Sequence, residues 1–173
     1  MFRPPTDKLQ AWLARGRRPL SAEEIRAALE RTPRFIPLPR EIIVLDGVLE
    51  VDGRIAVGAT PMKKETGVLI LTPLSDEETI SHEMIHMLGL GEFAAYTLSP
   101  ILFERMKRGI IPRLFPRRVE LQPMAPPSEA ELFSRFTIVP EVLEELRYCW
   151  QCLQTGYQMK LPPELKRYRV LVP

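Results

Sequence analysis

The chain has 173 residues, of which 45% are hydrophobic and 27% charged, and its formal net charge is +2 at pH 7. That length suits one domain with a modest extension. Charges so nearly balanced argue against a nucleic-acid partner, because the basic clusters at 15–19 and 112–118 are short enough to be solvated surface.

No apolar run reaches the roughly 18 residues of a membrane span, and the opening residues lack the apolar core of a signal peptide. No membrane association and a cytoplasmic location are therefore expected. Eighteen prolines and no asparagine lean towards a thermophilic source, since proline stiffens loops and asparagine is thermolabile.

In chain order, DKLQAWLAR at 7–15 is predicted as a short amphipathic helix with Leu9, Trp12 and Leu13 on one face. Ser21 opens a second helix. Glu24 stands three residues on, as a capping box requires, and Ile25, Ala28 and Leu29 make the apolar stripe. Prolines 33, 37 and 39 end it. The pattern then turns to strands. EIIVLDGVLEV and EVDGRIAVGA carry Asp46-Gly47 and Asp52-Gly53, turn signals that predict tight antiparallel hairpins. TGVLILTP at 66–73 is a further strand.

Ser75, with Glu78 three residues later, is predicted to cap the next helix, and Asp76 and Glu77 suit its positive end. This helix runs to about Leu88 before Gly89 and Gly91 break it. Another follows over about 92–108, with Pro100 a kink point. The proline-rich stretch 110–127 is predicted irregular, with helices near 128–135 and 140–158 and a strand or ordered tail in RYRVLVP. The order of elements predicts an α+β fold.

The chemistry concentrates in ISHEMIHMLGLGEF, residues 80–93, which holds both histidines of the chain. His82-Glu83-Met84-Ile85-His86 is HExxH. Residues four apart share a helix face, so two imidazoles can reach one cation at about 2.0–2.1 Å. Glu83, one step round, can hydrogen-bond a water at the metal without being a ligand. Zinc would lower the pKa of that water, and the glutamate would take its proton as it attacks a carbonyl, then hand it to the leaving amine. Two histidines at this spacing with the glutamate in place arise by chance in roughly one chain in a thousand of this size; the competing reading is two surface histidines on an amphipathic helix. With no third histidine, the remaining ligand must be another type. Glu92, six residues after His86 across two glycines, is the first candidate. Glu104, on the following helix, is the second.

HExxHxxGxx followed by a ligand resembles the extended motif of the metzincin zinc peptidases, with His82, Glu83, His86, Gly89 and Glu92 at its positions. The departure is Glu92, where metzincins carry His or Asp; gluzincins use glutamate but place it farther along. Phe93 to Pro100 also looks like the FAxxLLxP segment of the ImmA/IrrE small zinc peptidases, reached here by a shortened loop. The resemblance covers about residues 65–105. It implies a zincin-like fold, with N-terminal helices, a small antiparallel or mixed sheet, an HExxH active-site helix and a helical C-terminal part. It also implies a Zn2+ cofactor and peptide-bond hydrolysis on a peptide or protein substrate. In such a fold 67–72 would be the strand beside the cleft, offering its edge to an extended peptide. Met124 would be a candidate for a methionine turn and Tyr96 for polarising a substrate carbonyl, against the plainer reading of both as packing residues.

Residues 1–109 then form the zincin-like metallopeptidase domain. Residues 110–173 form a proline-rich connection and C-terminal helices packed on it. Cys149 and Cys152 make a CxxC inside a helical stretch; two cysteines alone are not a zinc signature, and the reading is buried thiols, with a disulfide, or a metal or redox role, as the alternatives. The alternative to an enzyme is a zincin-fold binding or assembly module, of a phage or toxin–antitoxin kind, without peptidase activity and with a protein partner. A third reading keeps the peptidase chemistry but directs it at a repressor.

Overall fold

The computed structural model describes residues 18–45, 49–51, 54–56, 58–60, 67–109, 114, 117–128 and 165–173. The predicted helices at 7–15, 128–135 (beyond Ser128) and 140–158, the Asp46-Gly47 and Asp52-Gly53 dipeptides and the Cys149/Cys152 pair lie outside these residues. Among the described residues the fold is α+β, with three helices and a mixed five-stranded sheet.

Helix α1 (Ala22–Glu30) begins where the capping signal placed it. The Glu24 amide donates to Ser21 Oγ at 3.2 Å, and the Ser21 amide donates back to the Glu24 carboxylate at 2.7 Å. Two otherwise unpaired amides at the helix start are thereby satisfied. Ile25, Ala28 and Leu29 are fully buried, as the stripe requires.

Strand β1 (Glu41–Leu45) lies in the middle of the sheet, parallel to β5 (Val68–Leu71) and antiparallel to β7 (Leu165–Leu171). The hairpin expected about Asp46-Gly47 would have paired β1 with the next strand in sequence; β1 pairs with β5 and β7 instead. Ile42, Ile43 and Val44 are all buried, so both faces of β1 are covered. A strand apolar on both faces needs partners on both edges and cover on both sides, which a local hairpin does not provide. The hairpin forms one step later: β2 (Leu49–Val51) pairs antiparallel with β3 (Arg54–Ala56) as a separate ribbon.

Strand β4 (Gly58–Ala59) adds antiparallel to β5, and β6 (Glu120–Met124) adds antiparallel to β7, giving the order β4-β5-β1-β7-β6. Two of the five strands thus come from beyond residue 109. The strand β6 falls within the stretch predicted irregular for its prolines. It is an outer strand, so Pro123 needs no second partner and removes no ladder bond from the sheet interior.

All three helices contribute to one core against one sheet face. Ile42, Val44, Leu69 and Leu71 meet Leu29, Ile80, Met84 and Met106 there. Each such side chain, fully buried, contributes about 1.5–3 kcal/mol. Helix α2 (Glu77–His86) starts one residue later than predicted: Asp76, not Ser75, is the cap, accepting the Thr79 amide at 2.8 Å. Ser75 is buried and its Oγ instead accepts the Thr72 amide at 2.9 Å, closing the turn between β5 and α2. The half-buried carboxylate of Asp76 suits the positive helix end better than a hydroxyl does. After α2, Gly89 takes φ +78°, a left-handed value that favours glycine. Gly91, with an ordinary extended backbone, caps α3 (Glu92–Lys107). Pro100 lies inside α3, which continues through it. No helix among the described residues is long and apolar enough to cross a membrane.

Candidate metal centre

Helices α2 and α3 form an antiparallel pair about the glycine turn. His86 meets Glu92, His82 meets Tyr96, and Ser81 donates to Met106 Sδ farther along. This arrangement brings the start of α3 back over the last turn of α2. His82 Nε2 lies 3.4 Å from Glu92 Oε2, and His86 Nε2 lies 3.3 Å from Glu92 Oε1. One ligand atom from each of the three residues lies within 4.8 Å of the others.

These distances can be tested against a metal. Ligands held at about 2.0–2.1 Å on the corners of a tetrahedron are about 3.3–3.4 Å apart. Each imidazole lies at about that distance from one oxygen of the Glu92 carboxylate, Oε2 for His82 and Oε1 for His86, so the three side chains converge closely enough to share one cation. His82, His86 and Glu92 can therefore hold a metal ion. Glu104 does not join them: it lies twelve residues further along α3, about 18 Å at helical rise, and pairs with Lys107 at 3.4 Å.

Hydrogen bonding and burial suit ligation. His86 Nδ1 donates to the Leu90 carbonyl at 2.8 Å, which leaves Nε2 as the nitrogen that faces Glu92. Burial, and then the neighbouring His86, lower the pKa of His82 despite the opposing pull of Glu92, which favours its neutral imidazole. The ring centroids of the two histidines are 5.0 Å apart, and the Tyr96 ring meets His82 edge-on at 4.7 Å. Tyr96 thus steadies His82 while remaining mostly exposed.

Glu83 is buried beside this trio, close enough for the charges of His86 and Glu92 to act on its carboxyl, and borders the gap between α2 and β4. Thr60, just past β4, donates its hydroxyl to Glu83 Oε2 at 2.9 Å. Burial pushes the Glu83 carboxyl up to about 7, against the lowering effects of the Thr60 hydrogen bond and of His86. A carboxyl in that range can both accept and return a proton at neutral pH. The close approach of β4 depends on Gly58. A Cβ there would stand 2.9 Å from Thr79 Cγ2, 3.2 Å from the Ile70 carbonyl and 3.4 Å from Glu83 Cγ.

Thr60, Gly58 and the Leu90 carbonyl were not singled out from the sequence. Thr60 is 23 residues before Glu83, with no spacing rule to connect them; the only local hint was the run of small residues Gly58-Ala59-Thr60 ending a strand pattern. Two other expectations change. The strand 67–72 is not an outer strand: β5 has β1 along one edge and β4 against Ile70 and Leu71 on the other, and the outer strand beside the site is β4. Met124 is in β6, at the opposite edge of the sheet, opposite Arg167 in β7, and does not underlie the histidines.

No protein-family model, curated protein or solved structure matches the chain, so the residues and their geometry carry the functional argument by themselves.

Proposed function

We propose that this chain is a small zinc-dependent metallopeptidase of the zincin type, in which His82, His86 and Glu92 hold the ion and Glu83 is the general base and acid. The observation that carries the reading is the juxtaposition of two groups: two imidazoles and a carboxylate whose ligand atoms lie within 4.8 Å of one another, and a buried carboxyl next to them in sequence with its pKa near neutrality. A two-histidine, one-glutamate set is a known donor set for catalytic zinc, which when bound supplies Lewis acidity and acidifies a water. Glu83 takes the proton of the attacking water and later gives it to the leaving amine. Thr60 holds one oxygen of that carboxylate and so restricts its rotation. The outer edge of β4 is the place where an extended polypeptide can add as a further strand, which favours peptide over small-molecule substrates.

A second reading, a zincin-fold assembly module without peptidase activity, is favoured by the outward face of α3. Phe93 is 86% exposed, Tyr96 71% and Ile101 54%, and clustered apolar exposure of this kind marks protein contact surfaces.

Metal analysis of the purified protein, with cleavage of a broad peptide library by wild type and Glu83→Gln, separates the two. The peptidase reading expects about one zinc per chain in both proteins and cleavage by the wild type alone. Equal cleavage by both, or none by a zinc-loaded wild type, defeats it.

A further inference from the structure

Apolar exposure on this chain is concentrated at the candidate metal centre. Of the nine exposed large hydrophobic residues among the described ones, four fall between residues 88 and 96: Leu88, Leu90, Phe93 and Tyr96. Each is tied to the trio by contact or by chain adjacency. Leu88 comes two residues after His86, and Leu90 gives its carbonyl to that histidine. Phe93 follows Glu92 directly, and the Tyr96 ring meets His82 edge-on at 4.7 Å. Single exposed apolar residues are ordinary on a protein surface, but a cluster beside a site marks contact with a ligand.

The trio opens to solvent beside these residues. The Glu92 side chain is 69% exposed and that of His86 only 6%, so an incoming group reaches the ligand atoms from the start of α3. The other flank of α2 is different. There β4 and the residue after it read Gly58-Ala59-Thr60, and Gly58 lies against Thr79 and Glu83. As an outer strand β4 offers backbone groups but little side-chain surface. A polypeptide added along it is held through its main chain, which carries no preference for sequence. Selectivity must come from the α3 side.

We propose that the substrate of this site is an unfolded polypeptide segment with a large apolar side chain next to the bond that is cut, and that Phe93 and Tyr96 select it. The proposal rests on the peptidase reading. Side chains of an added strand alternate in direction. Those turned towards α3 meet the two aromatic rings and gain most from being large and apolar. Such side chains are buried in folded proteins, so they become available only in unfolded or unstructured segments.

The test measures binding apart from cleavage. Zinc-loaded Glu83→Gln is titrated with two short, fluorescein-labelled, glycine- and serine-rich peptides that differ only in a central Phe or Ser, read by fluorescence anisotropy. The Phe peptide should bind at least about tenfold more tightly. Adding Phe93→Ala should bring the two peptides within about threefold of each other, and Phe93→Leu should restore part of the difference. Phe35→Ala, which removes an exposed aromatic elsewhere, should leave the preference intact. Zinc content is measured in every variant, so that loss of metal is not mistaken for loss of contact. Equal binding of the two peptides by Glu83→Gln overturns the proposal. So does a preference untouched by Phe93→Ala, or one lost equally in Phe35→Ala, which would be general stickiness. Cleavage of the same peptides by wild type is read separately. A Phe preference without cleavage by zinc-loaded wild type defeats the peptidase reading and takes this proposal with it; cleavage without preference defeats this proposal alone.

Discussion

Thr60 Oγ1 donates a 2.9 Å hydrogen bond to Glu83 Oε2, tying a residue just past an outer strand to the carboxylate in the middle of the HExxH helix. The bond stabilises the charged form of Glu83, while burial favours the neutral form, and burial is the larger effect. Thr60→Val keeps the shape and removes the donor. In metal-free protein the Glu83 titration, followed by carboxyl-carbon NMR, should move above its wild-type position near 7. A midpoint that stays in place or falls would mean that the hydroxyl does not set the state of this carboxylate.

Glu83 makes stability depend on pH in a direction opposite to that of most carboxylates. Its folded pKa, about 7, lies above the ordinary 4.5. Between those values the folded protein holds a proton that the unfolded chain has released, so stability falls as pH rises through this window and levels off above it. The full effect is about 3 kcal/mol at 1.36 kcal/mol per pH unit. Metal-free Glu83→Gln should therefore be more stable than wild type at pH 8 by an amount of that order. The two proteins should converge towards pH 4.5 in urea unfolding. Parallel curves would contradict the burial of a titrating carboxyl.

The ligand assignment predicts a sharp contrast between two glutamates. Glu92→Ala, like His82→Ala or His86→Ala, should weaken zinc binding by more than about a hundredfold, the upper range for a mere supporting partner. Glu104→Ala should leave it at the wild-type value. Competition titration with a chromogenic chelator reads this directly. Zinc at a hundred times its Kd should add about 2.7 kcal/mol to wild-type stability, and chelation should remove it.

Gly58 is where β4 and α2 come closest. Thr79 is β-branched and stiff in a helix, and the Ile70 carbonyl is backbone, so neither yields easily to an added Cβ. Gly58→Val should cost about 1–3 kcal/mol by overpacking and should move Thr60 away from Glu83. Its Glu83 titration should then shift upward as in Thr60→Val. A Gly58→Val protein with wild-type stability and titration would show that β4 can drift without consequence.

At the other end of the chain, Arg18 holds Glu24 at 2.7 and 2.9 Å, and with the Ser21 amide this lowers the Glu24 carboxyl to about 2. Here the folded pKa lies below the unfolded one. The stabilisation is complete above about 4.5 and is lost as pH falls towards 2. Glu24 is 36% exposed, so solvent screening leaves about 0.5–1 kcal/mol. Glu24→Gln should be less stable by that amount at pH 7 and equal to wild type near pH 2 in thermal melts.

What was legible in the sequence was local. The Ser21–Glu24 cap, the buried stripe of α1, the α2–glycine–α3 hairpin and the alignment of His82, His86 and Glu92 all follow from the helical period and from turn chemistry within about a dozen residues. The end of the chain read as strand or tail, and it is strand β7.

Tertiary structure alone decided the pairings between distant segments. Buried on both faces, β1 takes β5 and β7 as partners instead of closing a hairpin at Asp46-Gly47. A proline-bearing segment becomes a strand because it sits at a sheet edge. The chain brings Thr60 to Glu83 across 23 residues through the small volume of Gly58. Spacing in sequence reports neighbours on one element. Which elements become neighbours is set by the burial of apolar faces, a property of the whole chain.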